Sequence, residues 1–466
     1  MLKLRSYQQE VYDDVRQAFV DKCKSPLAVL PTGGGKTVIF SHVAASVASK
    51  GKRVMVLVHR VELLRQTSGA LHKSGVDHSL INPLYTPDYR KLVQVASVQT
   101  LVKRLHHIKN HPDLIIIDEA HHATAGTWKK IVEAFPRARI LGVTATPVRG
   151  DGTGLGVHAG GLFDKLIEGP SVQWLIDNGY LVKPVIYAPK ERLDLSGVRI
   201  VRGDYDTKEI TSRVDKPKIT GDAVAHYRKL CSGEPAVVFC TSVLHAQHVA
   251  DEFRAAGYSA YAVDGSMEDD IRKRILNGLG NGSVNVVTSC DLISEGTDIP
   301  AIACAILLRP TASLGLYIQQ VGRALRPCAG KERAIILDHV GNVITHGLPE
   351  EPREWSLDGI PKKSRKQNQE KPIAVKQCMQ CFAFHEPAPV CPHCGFVHPI
   401  EQKQMQVVEG ELQQITAEQA MALKRKRTSE VAKAKSLEEL IAIQNQRGYK
   451  RGWAEHIFNA RNQKIS

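Results

Sequence analysis

Ten short apolar runs, separated by longer helical stretches, fall into two groups of five along the 466-residue chain. The first group is Leu27–Leu30, Val54–Val58, Val93–Ser97, Leu114–Asp118 and Arg139–Thr144. The second is Ala236–Cys240, Ser259–Val263, Val284–Thr288, Ala301–Leu307 and Ala334–Asp338. A strand with one wet face alternates apolar and polar residues, whereas these runs are apolar nearly throughout, as strands buried on both faces are. Such strands alternating with helices build parallel sheets covered on each side, so the repeated series predicts two α/β domains in tandem. The chain also exceeds a single core, at roughly 150 residues per folding unit.

Charge narrows the functional class. Lysine and arginine number 62 against 48 aspartate and glutamate, a net charge of +14 that points to a polyanionic partner. With 43% hydrophobic and 24% charged residues, neither wholesale disorder nor a fibrous repeat is expected. The longest apolar stretches, such as Ala301–Leu308, fall well short of the ~20 residues of a membrane span. Met1–Arg5 runs straight into a polar helical pattern with no apolar secretion signal. No membrane partner is expected, and the expected location is cytoplasmic.

Leu27 to Thr37 places an apolar strand, a glycine-rich turn and a Lys-Thr pair directly before a helical stretch. Thr32 with Gly33, Gly34 and Gly35 would let backbone N–H groups close around phosphate oxygens at a helix N-terminus. Lys36 would reach the β- and γ-phosphates of ATP, and Thr37 would ligate Mg²⁺. The full motif has a glycine five residues before Gly35, where this chain has Leu30. Leu114–Asp118 ends in two carboxylates, Asp118 and Glu119, at the strand end where a doubly wound sheet gathers ligands. Asp118 suits a water-bridged Mg²⁺, and Glu119 suits a general base facing the attacking water.

Asp118-Glu-Ala-His121 together with Pro31-Thr-Gly-Gly-Gly-Lys-Thr37 resembles the superfamily-two helicases of the DEAD/DEAH type, and further motifs follow in order. The resemblance covers residues 2 to 345 and implies two RecA-like domains that close on ATP. Within it, Leu4-Arg-Ser-Tyr-Gln8 is similar to the adenine-recognition motif, which implies base contacts for Arg5 and Gln8. Val58-His-Arg60 and Ser97-Val-Gln-Thr100 are similar to strand-contacting motifs, implying nucleic-acid contacts for Arg60, Gln99 and Thr100. Gly142–Pro147 resembles the third motif, so Thr144 and Thr146, with His121, would couple hydrolysis to domain movement. Val238–Ser242 with His245 and Thr288–Asp298 resemble motifs four and five. They imply strand contacts for Thr241 and Thr288, and ribose and phosphate contacts for Gly296 and Asp298. Gln319–Arg326 resembles motif six, whose glutamine and arginines act across the domain cleft, here Gln319, Arg323 and Arg326. Phe163–Pro189 resembles bacterial RadD-type DNA-repair helicases and related phage helicases most.

Cys378-Met-Gln-Cys381 and Cys391-Pro-His-Cys394 form two knuckles nine residues apart, a spacing with which four thiolates grip one structural Zn²⁺. Cys23, Cys231, Cys240, Cys290, Cys304 and Cys328 lack such spacing and read as small hydrophobes in a reducing compartment. The expected fold class is therefore α/β, two tandem RecA-like parallel-sheet domains followed by a small zinc ribbon and a short helical tail. The expected divisions are an ATP-binding domain over 1–190, a connector over 191–220, a second RecA-like domain over 221–347, a basic linker over 348–374, a zinc ribbon over 375–399 and a basic helical tail over 400–466. In that tail, aromatic and basic residues from Gly448 to Arg461 fit either base stacking or packing of the tail itself. The expected function is an ATP-driven motor on nucleic acid, DNA favoured over RNA, in repair, recombination or replication. An RNA helicase and an ATP-gated binding scaffold are the alternatives, and no protein partner is legible.

Overall fold

The computed structural model describes residues 3–123, 126–149, 152–189, 193–201, 203–215, 217–290 and 302–358, with short pieces of the chain beyond. The first sheet comprises β1 (Pro26–Val29), β2 (Val54–Val58), β3 (His78–Ile81), β4 (Val93–Ser97), β5 (Leu114–Asp118), β6 (Arg139–Thr144) and β7 (Lys165–Glu168). All run parallel in the order β3-β4-β2-β5-β6-β1-β7. The five strands read from sequence are its buried middle. The added edges, β3 and β7, carry His78, Ser79, Lys165 and Glu168 and are only partly buried, so they lack the continuous apolar signal.

After β8 (Lys183–Ala188) and a small hairpin of β9 (Ile200–Val201) and β10 (Asp204–Tyr205), the second series follows. It comprises β11 (Ala236–Phe239), β12 (Ala260–Val263), β13 (Val286–Ser289), β14 (Cys304–Leu307) and β15 (Arg333–Asp338). Beyond it lie a two-stranded pair, β16 (Lys376–Gln377) with β17 (Phe384–His385), and then β18 (Gln413–Ile415). The second sheet runs β12-β13-β11-β14-β15-β8-β18, parallel except for the last pair.

Four divisions expected from sequence differ in the structure. The strand Lys183–Ala188, which the 1–190 division gave to the first domain, pairs with β15 in the second sheet. The 191–220 connector is docked there too: Asp204 accepts hydrogen bonds from Thr311 Oγ1 at 2.8 Å and Ala312 N at 2.7 Å and pairs with Arg309 at 3.2 Å. The tail is not wholly helical, because Gln413–Ile415 covers the edge of β8 that would otherwise present unpaired backbone groups. The helix Leu437–Gln446 does form, and Leu440, Ala454 and Phe458 pack in a cluster of its own. The linker's first part, residues 349–358, crosses back to the first domain. There Leu357 O accepts from Gly156 N at 2.9 Å, and Trp355 and Leu357 pack against that domain's core. Among the described residues no helix is long and apolar enough to cross a membrane.

The second domain shields several imidazoles from water. Burial lowers His245 to about 4, against the opposing pull of Asp215 and with help from His248, and lowers His339 to about 3 beside His226. An unfolded histidine titrates near ~6.5, so below that pH the unfolded chain binds protons that the folded domain refuses, and stability present above it is lost as pH falls. Asp338, raised to about 6 by burial, acts in the opposite sense because its folded form takes a proton first. Burial also lowers His346 and raises Glu350, and together the three histidines outweigh the two carboxyls. Moving from about pH 7.5 to about pH 5 should destabilise the protein, read as a lower urea midpoint for unfolding; an unchanged midpoint would contradict it.

Candidate active site between the two domains

The phosphate loop joins β1 to the helix Lys36–Ala48. Gly33 and Gly35 take φ of +87° and +84°, the left-handed region that glycine enters without strain, and Gly35 caps the helix in that conformation. A side chain there would be strained by that φ, and it would also displace Gln8, whose Nε2 lies 2.2 Å from an ideal Cβ on Gly35. Tyr7 donates its hydroxyl hydrogen to Gly34 O at 3.0 Å, so the helix Ser6–Val20 is anchored on the loop.

Glu119 follows the last residue of β5 with φ of +48°, one of two non-glycine residues with positive φ among those described. That conformation costs on the order of 1–2 kcal/mol and turns the carboxylate toward the loop, 3.9 Å from Lys36 Nζ. Its other oxygen lies 3.5 Å from His121 Nδ1, which contacts Thr144 Oγ1 at 3.0 Å. Thr144 in turn donates to Thr146 O at 3.0 Å. Asp118 accepts from Glu119 N at 2.9 Å. A polar chain thus runs from Lys36 through Glu119, His121 and Thr144 to Thr146.

The second domain completes this seam. The helix Leu314–Ala324 starts with Gly315 against Thr146: an ideal Cβ on Gly315 would stand 2.9 Å from Thr146 Oγ1. Two turns on, one on Gly322 would stand 2.6 Å from Thr32 Cβ, so only glycine lets the backbone approach the phosphate loop so closely. Gln319 and Arg323 are buried on this helix, and Arg326, just past its end, has Cγ 3.6 Å from the Cβ position of Gly33. Arg326 thus lies beside the phosphate loop, and Arg323 directly follows the Gly322 that contacts it. Thr32 Oγ1, Thr146 Oγ1 and Gln319 Nε2 are buried there without a hydrogen-bond partner among the described residues. An orphaned buried polar atom costs roughly 1–3 kcal/mol, so this seam is built for a polar ligand.

Residues 1–149 match the family model of the type III restriction enzyme res subunit, and residues 222–328 match the helicase conserved C-terminal domain. A 51.5 kDa protein of a Lactococcus phage is 36% identical over 83% of this chain and 82% of its own length. The candidate ATP-dependent helicase IRC3 of Saccharomyces cerevisiae is 31% identical over 72% of this chain, which spans about half, 51%, of the yeast protein. The chain belongs to the superfamily-two helicases. The DNA 3'-5' translocase XPB2 of Sulfurisphaera tokodaii is 23% identical over 70% of this helicase and 79% of its own length. A solved fragment of a candidate HsdR subunit of a type I restriction enzyme from Vibrio vulnificus shares the fold, with TM-score 0.58 and 22% identity over 74% of this chain and 67% of that one.

The helicase's remaining candidate residues divide by position. Arg60 and Gln99 sit at the ends of β2 and β4; Gln99 is exposed and donates to His59 O at 3.0 Å. Thr100, Thr241 and Thr288, expected as strand contacts, are buried. The Thr288 hydroxyl donates to Ala246 O at 2.6 Å, tying β13 to the helix Val243–Ala255, and Thr241 Oγ1 contacts His245 Nδ1 at 3.0 Å in the first turn of that helix. Gly296, Asp298, Cys378, Cys381, Cys391 and Cys394 lie outside the described residues. Cys231, Cys240 and Cys304 are buried, and burial pushes the thiols of Cys240 and Cys304 up, as inert core residues require.

Sequence reasoning missed a second bridge between the domains. Arg65 meets Asp269 at 2.5 Å and Arg272 meets Glu62 at 3.2 Å, joining the helices Val61–Lys73 and Asp269–Asn281. Partners some 210 residues apart leave no local pattern to read.

Proposed function

We propose that this helicase is a DNA-stimulated ATP motor whose hydrolytic site is assembled only when the second domain's arginine helix lies on the first domain's phosphate loop. The supporting observation is the contact of Gly322 with Thr32, with Arg323 and Arg326 beside it. The residues present fit Mg-ATP. Left-handed glycines shape a loop for phosphate, Lys36 and Arg326 bring cations to it, and the orphaned hydroxyl of Thr32 lies at the seam. Thr37 and Asp118 would hold Mg²⁺, which when bound neutralises charge on the phosphates. Glu119 takes the proton of the attacking water, and Arg323 with Arg326 balances charge that develops on the transferring phosphoryl group. His121, Thr144, Thr146 and Gln319 would pass the state of the site to the second domain.

Phosphate release with single-stranded DNA, forked DNA, RNA or no polymer tests this reading. DNA should stimulate turnover most, with an affinity that falls steeply as salt rises because phosphate contacts dominate. Rates indifferent to every polymer would refute the motor, and stronger stimulation by RNA would transfer the assignment to RNA. DNA is favoured by the similarity to a named DNA translocase, and a role in repair, recombination or replication rests on the RadD-type resemblance.

For the cysteine module we propose one structural Zn²⁺ held by Cys378, Cys381, Cys391 and Cys394. In support, β16 and β17 pair antiparallel around the first knuckle, and Gly395, directly after the second, has φ of +72°. A segment this small has little core, so the metal would supply its folding energy. Metal analysis should find near one zinc per chain, and a metal-free intact protein would overturn the ribbon.

A further inference from the structure

Three consecutive residues, Tyr180, Leu181 and Val182, carry the chain from the first domain into β8 of the second, and each touches a different station of the nucleotide site. The Arg5 guanidinium lies over the Tyr180 ring, 4.7 Å from its centroid. Leu181 is buried against the phosphate loop, with Cδ2 2.8 Å from the Cβ position of Gly33. Val182 N donates to Leu325 O at 2.9 Å, one residue before Arg326. The Tyr180 ring is held from behind, tilted on Tyr7 at 5.0 Å and stacked on Trp174 at 6.0 Å. Its backbone is fixed as well, since Tyr180 N and Leu181 N both donate to Leu175 O, at 2.8 and 3.1 Å.

We propose that Tyr180 is a positioning residue for base selectivity, holding Arg5 against the purine edge, and that the crossing strand links base recognition to the arginine helix. The proposal rests on the reading of Arg5 and Gln8 as base contacts. Arg5 is exposed and begins the chain's first helix, so alone it would sample many rotamers; a ring beneath its plane removes that freedom. Gln8 is already set, its Oε1 accepting from Arg5 N at 3.0 Å. Leu181 and Val182 are next in the chain and leave no slack between the ring and Leu325. A base that matches Arg5 where Tyr180 holds it therefore also keeps Arg326 docked, and a base that pushes Arg5 off the ring loosens both. Selectivity should thus be felt in kcat as well as in KM.

The test compares steady-state hydrolysis of ATP and GTP by the full chain and its Tyr180→Leu, Tyr180→Phe and Arg5→Ala variants. Tyr180→Leu keeps apolar bulk on Trp174 and Tyr7 but removes the π face; it should lower the ATP-to-GTP ratio of kcat/KM roughly five- to thirty-fold, the size of a partly desolvated cation–π contact, with part of the loss in kcat for ATP. Tyr180→Phe should retain the parent ratio, since the ring and not the hydroxyl meets Arg5. Loss of selectivity in Arg5→Ala with none in Tyr180→Leu would overturn the positioning role while leaving the base reading intact. An unchanged ratio in both would show that Arg5 does not read the base, and the proposal would fall with that reading. Should Tyr180→Leu fold poorly, the Arg5→Ala and Tyr180→Phe pair combined with Trp174→Leu, which removes the ring's support, gives the same comparison, with an unchanged ratio again overturning it.

Discussion

Glu119→Gln should leave ATP binding within a few-fold of the parent and lower turnover by roughly 10²- to 10⁴-fold, the usual contribution of a positioned general base. The substitution preserves size and keeps an oxygen near His121, but an amide cannot take a proton. Binding is spared for an electrostatic reason. The Glu119 carboxylate lies 3.9 Å from Lys36 Nζ, with both side chains largely sheltered, and neutralising it leaves the lysine's charge for the phosphates. The left-handed backbone at Glu119 supports the same role, because strain is tolerated where surrounding structure fixes a side chain for a task. Titration with a fluorescent ATP analogue and single-turnover phosphate release would separate the two effects. Turnover within tenfold of the parent would move the base elsewhere.

Arg326→Ala and Arg323→Ala should each depress kcat by roughly 10³- to 10⁵-fold, the range found for arginine fingers in nucleotide hydrolases, with much smaller changes in KM for ATP. Arg326 emerges from the end of the Leu314–Ala324 helix beside Gly33, where a guanidinium can bridge phosphate oxygens in a planar fork. Arg326→Lys should recover little, since an ammonium offers charge without that geometry. Arg323 is buried, so its variant needs a melting measurement beside the kinetics; an unchanged Tm with lost turnover separates function from folding. Full activity in both variants would remove the second domain from the chemistry.

The candidate site was legible wherever its chemistry is local. The loop Pro31–Thr37 and the pair Asp118–Glu119 announce themselves because phosphate binding needs consecutive backbone amides and because strand ends fix where carboxylates fall. For the threonines at 100, 241 and 288 a motif gives order along the chain and says nothing of which way a hydroxyl faces; only the structure shows that each is buried.

By itself the sequence determined the two parallel sheets and their central strands, because strands covered on both faces must be apolar throughout and that requirement is written residue by residue. It also determined the phosphate loop, whose conformation demands glycine. Only the tertiary structure decided that Lys183–Ala188 crosses to the second sheet, that residues 349–358 return to the first domain, and that Tyr180 to Val182 touch base motif, phosphate loop and arginine helix in succession. Such contacts join segments far apart in the chain, and no periodicity or composition encodes a partner that distant. They follow from which surfaces remain uncovered once both sheets have formed.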